Sequence, residues 1–264
     1  MVVFAGQGDA RRAMALLWRT AAREPRPGPK PGLSVESIVT AAIEVADAQG
    51  MAALSMRAVG ERLGCTAMAL YTYVPSKGEL VDLMYDTAIA EMSHGSHHDY
   101  DLGAGWRPAL TAWAEDLLAY YLRHPWVLQV SQARPVLGPN EYAVLDTVLR
   151  IMFDTGLPPV EMRRVTSVLF QLVHGVAKTI AEARDAAGAT GTTDDEWWHA
   201  RSALLEELAV DFTERFPMVA KLASAGGFTM ADETMPYQEQ ASLEMFRAGL
   251  TMLLDGIEKA ATLA

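Results

Sequence analysis

The 264-residue sequence predicts an all-α fold, in which a small three-helix unit precedes a larger helical body. Three observations lead there. Apolar residues recur at three- and four-residue steps from Ser34 onward, and no segment alternates apolar and polar residues as a half-buried strand does. Ser, Gly and Pro also fall at the spacing of helix caps and stops.

Ser34 caps a first helix whose positions Ile38, Ala41, Ala42, Val45 and Ala46 share a face, and which ends at Gly50. Ser55 opens a second, Met56 to Leu63, stopped by Gly64. A third, Ala67 to Val74, ends at Pro75; Leu70 and Val74 face one way, Met68 and Thr72 the other, with Ala69 and Tyr71 at the flanks. Two short helices joined by Gly64-Cys65-Thr66 have the form of a helix-turn-helix, in which the second helix enters a major groove. Further helices are expected near residues 77 to 93, 104 to 124, 126 to 133, 140 to 155, 159 to 185, 194 to 211, 214 to 224 and 237 to 262, with Ala186 to Thr193 as a mobile loop. Glu24 to Gly32 hold four prolines and two glycines in nine residues, so this stretch is an extended linker. The organisation is therefore a flexible arm over 1–33, a helix-turn-helix unit over 34–80 and a body over 81–264.

Composition narrows the function classes. Half of the residues are apolar, enough for a sizeable core. The most apolar stretch, Val165 to Ile180, is interrupted by Gln171, His174 and Lys178, so no membrane span is expected. Met1 to Ala5 is too short for a signal-peptide core, and a cytoplasmic location follows. The single cysteine, Cys65, excludes an internal disulfide and any multi-cysteine metal site. The net charge of -11 argues against nucleic acid until its distribution is read. Residues 1 to 33 carry six basic side chains (Arg11, Arg12, Arg19, Arg23, Arg26 and Lys30) against Asp9 and Glu24. Such an arm is either a solvated tail or a nucleic-acid contact.

Residues Leu54 to Lys77 resemble the head of TetR-family repressors: the Leu63-Gly64 turn, the Leu70-Tyr71 pair, the aromatic Tyr73 and the Ser76-Lys77 that opens the next helix. The body is similar to the tetracycline-repressor branch through Arg123-His124-Pro125-Trp126, Ala133-Arg134-Pro135, Leu137-Gly138-Pro139-Asn140, Phe246 to Leu250 and Ile257 to Lys259. The resemblance implies a head that reads DNA and a ligand-binding and dimerisation domain that forms a homodimer through a four-helix bundle. It also implies a small effector that spreads the heads off the operator. By position it makes Arg57 a base contact, puts Ala67, Met68, Ala69, Tyr71, Thr72 and Tyr73 along the groove helix, and makes Lys77 a phosphate contact. Where the tetracycline repressor holds magnesium with a histidine, this chain has Val130, so no metal or other cofactor is expected and the effector is not a metal-chelated tetracycline.

Arg57 near the start of its helix suits bidentate contact to guanine, whereas the groove helix itself offers no Arg, Asn or Gln. The 34–80 unit has three basic side chains (Arg57, Arg62, Lys77) against five acidic ones, so Arg23, Arg26 and Lys30 in the arm are candidates to supply phosphate contacts. His94, His97 and His98 with Asp99 and Asp101 have metal-ligand chemistry but fall in a Gly- and Ser-containing stretch, and are read as a hinge loop. Cys65 is read as a small turn residue. Trp106, Trp113, Tyr120, Tyr121 and Trp126 recur at helical spacing and serve either as core or as pocket lining. Trp113, Phe170, Gln171 and His174 are the candidate ligand residues, mixing aromatic surface with two polar groups. No nucleophile motif, phosphate loop or carboxylate pair points to an enzyme. The alternatives are a helical enzyme or a protein-interaction adaptor that keeps a vestigial DNA-binding head.

Overall fold

The computed structural model describes residues 3–4, 6–20, 33–92, 100–131, 133–229 and 235–262. The helices among them are α1 (Ala10–Leu17), α2 (Val35–Ala53), α3 (Met56–Leu63), α4 (Ala67–Tyr71), α5 (Lys77–Ile89), α6 (Trp106–Arg123), α7 (Pro139–Phe153), α8 (Pro159–Thr190), α9 (Asp194–Leu208), α10 (Phe212–Arg215), α11 (Pro217–Ser224) and α12 (Tyr237–Ala261). Short 3-10 turns cover Ala90–Met92, Leu102–Ala104 and Pro125–Gln129. The described residues contain no strand, only one isolated parallel bridge between Val3 and Val130.

The head boundaries follow from side-chain caps. Ser34, Ser55, Thr66 and Ser76 each accept a hydrogen bond from the amide three residues on, satisfying donors that a helix start leaves free. Gly50 (φ 75°) leaves the helical conformation inside α2, and Gly64 (φ 69°, ψ 29°) closes α3 in the left-handed region, where a Cβ is disfavoured. The groove helix is shorter than the expected Ala67 to Val74. The amides of Tyr73 and Val74 both donate to the Leu70 carbonyl, which tightens the chain after Tyr71 and leaves Thr72 and Tyr73 in the closing turn.

Elsewhere the differences also have local causes. Ala186, Ala187 and Ala189 continue α8 through Thr190 instead of forming a loop, because alanine is the strongest helix former, and Gly191 (φ 73°) stops it. The helix expected over 126 to 133 is only the 3-10 turn Pro125–Gln129, and the one over 214 to 224 divides at Phe216 ahead of Pro217. The N-terminal arm is not uniformly a flexible tail. Asp9 caps the Arg12 amide at 2.8 Å, and α1 buries Ala13 and Leu17 on the side where it packs against α5.

The body core forms where α8 packs along α12 and α6, with Trp113, Tyr120, Tyr121 and Trp126 fully buried. Burying a large apolar side chain contributes about 1.5–3 kcal/mol, so these rings dominate the packing between the helices. Helix α5 crosses the boundary expected at residue 80 and packs on α2 at one end and α7 at the other. Asp86 makes the second junction specific. Its carboxylate accepts from the amides of Asn140 and Glu141 and from Asn140 Nδ2, each at 3.0 Å, and so caps α7 from a neighbouring helix. Gly138 is required there, because a Cβ would lie 2.0 Å from Asp86 Oδ1.

Candidate DNA-binding face and effector cavity

Helices α3 and α4 meet at Gly60, where an added Cβ would lie 2.8 Å from the Cys65 carbonyl oxygen and 3.2 Å from the Ala67 amide nitrogen. Backbone atoms cannot swing aside, so Gly60 sets the separation of the two helices. Gly60 is a functional residue not expected from sequence, although a glycine inside an eight-residue helix is a signal of close approach. With α4 so anchored through Leu70, its opposite side is open: Met68 is 76% and Tyr71 44% exposed, Thr72 is exposed, and Ala67, Ala69 and Tyr73 are half-buried.

Arg57 projects from the start of α3 with its side chain 86% exposed, paired through Nε with Glu61 at 2.8 Å. An exposed i,i+4 pair is weakly held, so the guanidinium can exchange Glu61 for an outside acceptor. Lys77 donates from Nζ to the Leu54 carbonyl at 2.6 Å, an engagement that leaves two of its three donors. Arg62 is tied to Glu44. Cys65 is half-buried in the turn, its amide donating to the Gly60 carbonyl at 2.9 Å. Arg23, Arg26 and Lys30 lie outside the described residues, as do His94, His97, His98 and Asp99.

A cavity of about 330 Å³ opens between α5, α6, α7 and α8, within the usual size range of small-molecule sites. Its walls are aromatic and aliphatic, with Tyr85, Tyr121, Tyr142, Phe170 and Val130 among them, and Arg134 and Glu141 supply the charged part of the lining. Burial raises the Tyr85 phenol well above its usual range and also raises the Glu141 carboxyl. Of the expected ligand residues, Phe170 lines the cavity. Trp113 stands behind it, edge-on to Phe170 at 5.2 Å and fully buried. His174 sits edge-on to the wall residue Tyr121 at 5.7 Å, and burial lowers its pKa, favouring the neutral imidazole. Gln171 is exposed on α8 rather than among the lining residues, since it is next to Phe170 and the helix turns it away. The indole Nε1 of Trp113 and the hydroxyl of Tyr120, two turns apart on α6, are buried without a hydrogen-bond partner among the described residues. The wall residues Tyr85, Tyr142 and Glu141 were not legible in sequence, because they converge from different helices. A wider cleft of about 890 Å³ between α1, α2 and α5 is bordered by Arg19, Glu36 and Asp86, with Tyr73 as the aromatic residue in its lining.

A helix-turn-helix with an open second helix, carried on an all-helical body with its own cavity, is the architecture of a transcriptional regulator. Residues 38–84 match the family of bacterial regulatory proteins named for tetR, and residues 101–261 match the tetracyclin repressor-like C-terminal domain. The chain is 40% identical over 254 residues to the HTH-type transcriptional repressor DrrR1 of Streptomyces coeruleorubidus, covering 96% of this chain and 87% of that one. It is 30% identical over 185 residues to an HTH-type transcriptional regulator of Saccharopolyspora erythraea, covering 69% and 76%. The protein belongs to the TetR family. Its fold is also that of ActR from Streptomyces coelicolor, solved with actinorhodin, with a TM-score of 0.66 at 23% identity over 89% of this chain and 99% of that one. The family and these relatives are regulators rather than enzymes, and among the described residues no helix is long and apolar enough to cross a membrane.

Proposed function

We propose that this protein is a cytoplasmic homodimeric repressor that binds a palindromic operator and is released by a bulky aromatic effector, bound without a metal ion. The observation that carries the reading is the course of α5. It starts just after the groove helix and its far end supplies Tyr85 and Ile89 to the cavity, so one rigid element joins the reading surface to the ligand site. In this reading residues 34–80 form the head and 81–264 the body. Arg57 contacts a base; Ala67, Met68, Ala69, Tyr71, Thr72 and Tyr73 lie against the groove; Lys77 and, from the arm, Arg23, Arg26 and Lys30 contact phosphates. Exposed Val168 on α8 and Met245 and Met252 on α12 support a dimer formed through that helix pair, and a two-fold protein axis matches a palindromic site.

The effector stacks on Phe170 and the tyrosines, with Trp113 and His174 behind them. The unpartnered Trp113 indole supports a ligand polar group reaching past Phe170, since a buried donor left unpaired is costly. Val130 in the wall supplies no metal ligand. DrrR1 is named a repressor, which favours repression, and ActR is solved with actinorhodin, which favours a small-molecule effector of comparable class. A panel of such compounds, tested for operator release with and without EDTA, checks the reading. Release is expected to survive EDTA, and Phe170→Ala and His174→Ala are expected to raise the half-maximal concentration, Phe170→Ala by roughly tenfold. Loss of release with EDTA, or an unaltered response in both variants, contradicts the metal-free aromatic site.

A further inference from the structure

We infer that residues 3–4 and 6–20 belong to an intramolecular strap that couples the effector cavity to the DNA-reading head. This segment lies outside both regions that match the family. It touches the cavity wall from outside at two places. Val3 donates to the Gln129 carbonyl at 2.9 Å and accepts from the Ser131 amide at 2.7 Å, bracketing Val130, while Val130 and Ser131 line the cavity. At the other end Trp18 Nε1 donates to the Leu137 carbonyl at 3.0 Å, and its ring lies 6.2 Å from that of Tyr142. Leu137 and Tyr142 both line the cavity.

Between these anchors the strap grips α5, the helix that carries the head. The Gly6 amide donates to both oxygens of Asp82, at 3.2 and 3.1 Å, and Arg12 lies 3.7 Å from Glu79. Glu79, Asp82 and Asp86 are buried on α5. Their desolvation is unfavourable without partners, and the strap supplies an amide donor and Arg12. Gly6 has φ 67°, which suits glycine, and a Cβ at Gly8 would collide with the Glu79 side chain, so both glycines permit this close approach.

Leu137 is the point at which the strap can be released. It is a non-glycine residue at φ 62°, a conformation that is disfavoured for a branched side chain. Two bonds hold it there: its amide donates to Glu141 Oε2 at 2.7 Å, and its carbonyl accepts from Trp18 of the strap. A ligand that displaces Leu137 therefore loosens the Trp18 anchor, and through the strap alters the support of α5. The inference rests on the ligand-released repressor reading for its purpose, but its mechanical content is testable alone.

The test compares the full chain with a variant lacking residues 2–20, which retains Arg23, Arg26 and Lys30, and with Trp18→Phe, which keeps a ring but loses the indole donor. Without DNA or ligand, amide exchange over 79–86 and 129–137 is expected to rise in the deletion by roughly fivefold, the loss of about one net hydrogen bond. In Trp18→Phe the rise is confined to the neighbourhood of Leu137. Unchanged exchange in both variants overturns the strap. With DNA from upstream of the protein's own gene, binding is expected to slow exchange over 129–137 in the full chain and not in the deletion, because coupling between sites is reciprocal. The salt dependence of binding stays the same. Equal protection in both proteins, or a slope of log affinity against log salt flatter by about 0.9 per lost contact, assigns the segment to phosphate binding instead and overturns the proposal. If the full chain does not bind that DNA, the repressor reading fails while the DNA-free exchange still decides the strap.

Discussion

Gly60→Val is expected to abolish operator binding and to lower the melting temperature of the protein. The first added carbon already lies 2.8 Å from the Cys65 carbonyl oxygen, and the valine methyls add to a contact made with backbone. Overpacking of this kind costs about 1–3 kcal/mol, and here it acts on short helices whose relative placement is the reading surface. Helix α3 has to move away from the turn before Ala67, which tilts α4 and its exposed Met68 and Tyr71. Thermal unfolding and an operator titration check this together. A variant with wild-type melting and affinity contradicts the close packing of α3 on the turn.

The second large effect is on recognition without a change of fold. Arg57→Ala is expected to weaken operator binding by roughly 5- to 150-fold, the range for one bidentate base contact. The helical circular-dichroism spectrum should be unchanged, because the side chain is 86% exposed and its ion pair is with the exposed Glu61. Glu61→Gln is the matched control: it removes the competing carboxylate, so affinity is expected to hold or rise. Unaltered affinity of Arg57→Ala at fixed salt removes Arg57 from the reading surface.

The first helices of the head were legible in sequence because their ends are set within a few residues of where they act. Ser34, Ser55, Gly64 and Ser76 each cap or end a neighbouring turn, and each does so in the structure. The end of the groove helix was misread because the tightened turn through Leu70 depends on backbone bonds that residue type does not announce. In the arm, the basic charge and the proline run suggest a tail, whereas the Asp9 cap and the Ala13 and Leu17 spacing are the sequence signals that form α1. The cavity was only partly legible. Phe170 stands out as an aromatic residue on a long helix, but Glu141, Tyr142 and Leu137 acquire their places through Asp86 and Trp18, fifty or more residues away in the chain. Side chains that converge from separate helices leave no periodic trace.

On the proposed reading the protein is a sequence-specific DNA reader whose grip is set by a ligand in its body. The most direct measurement is fluorescence anisotropy of the full chain on two labelled duplexes of equal length, one from upstream of its own gene and one of shuffled sequence, at fixed salt near physiological strength. The account predicts binding of the upstream duplex at least about 1,000-fold tighter than of the shuffled one, the low end of specific recognition. Equal affinity for the two duplexes contradicts it.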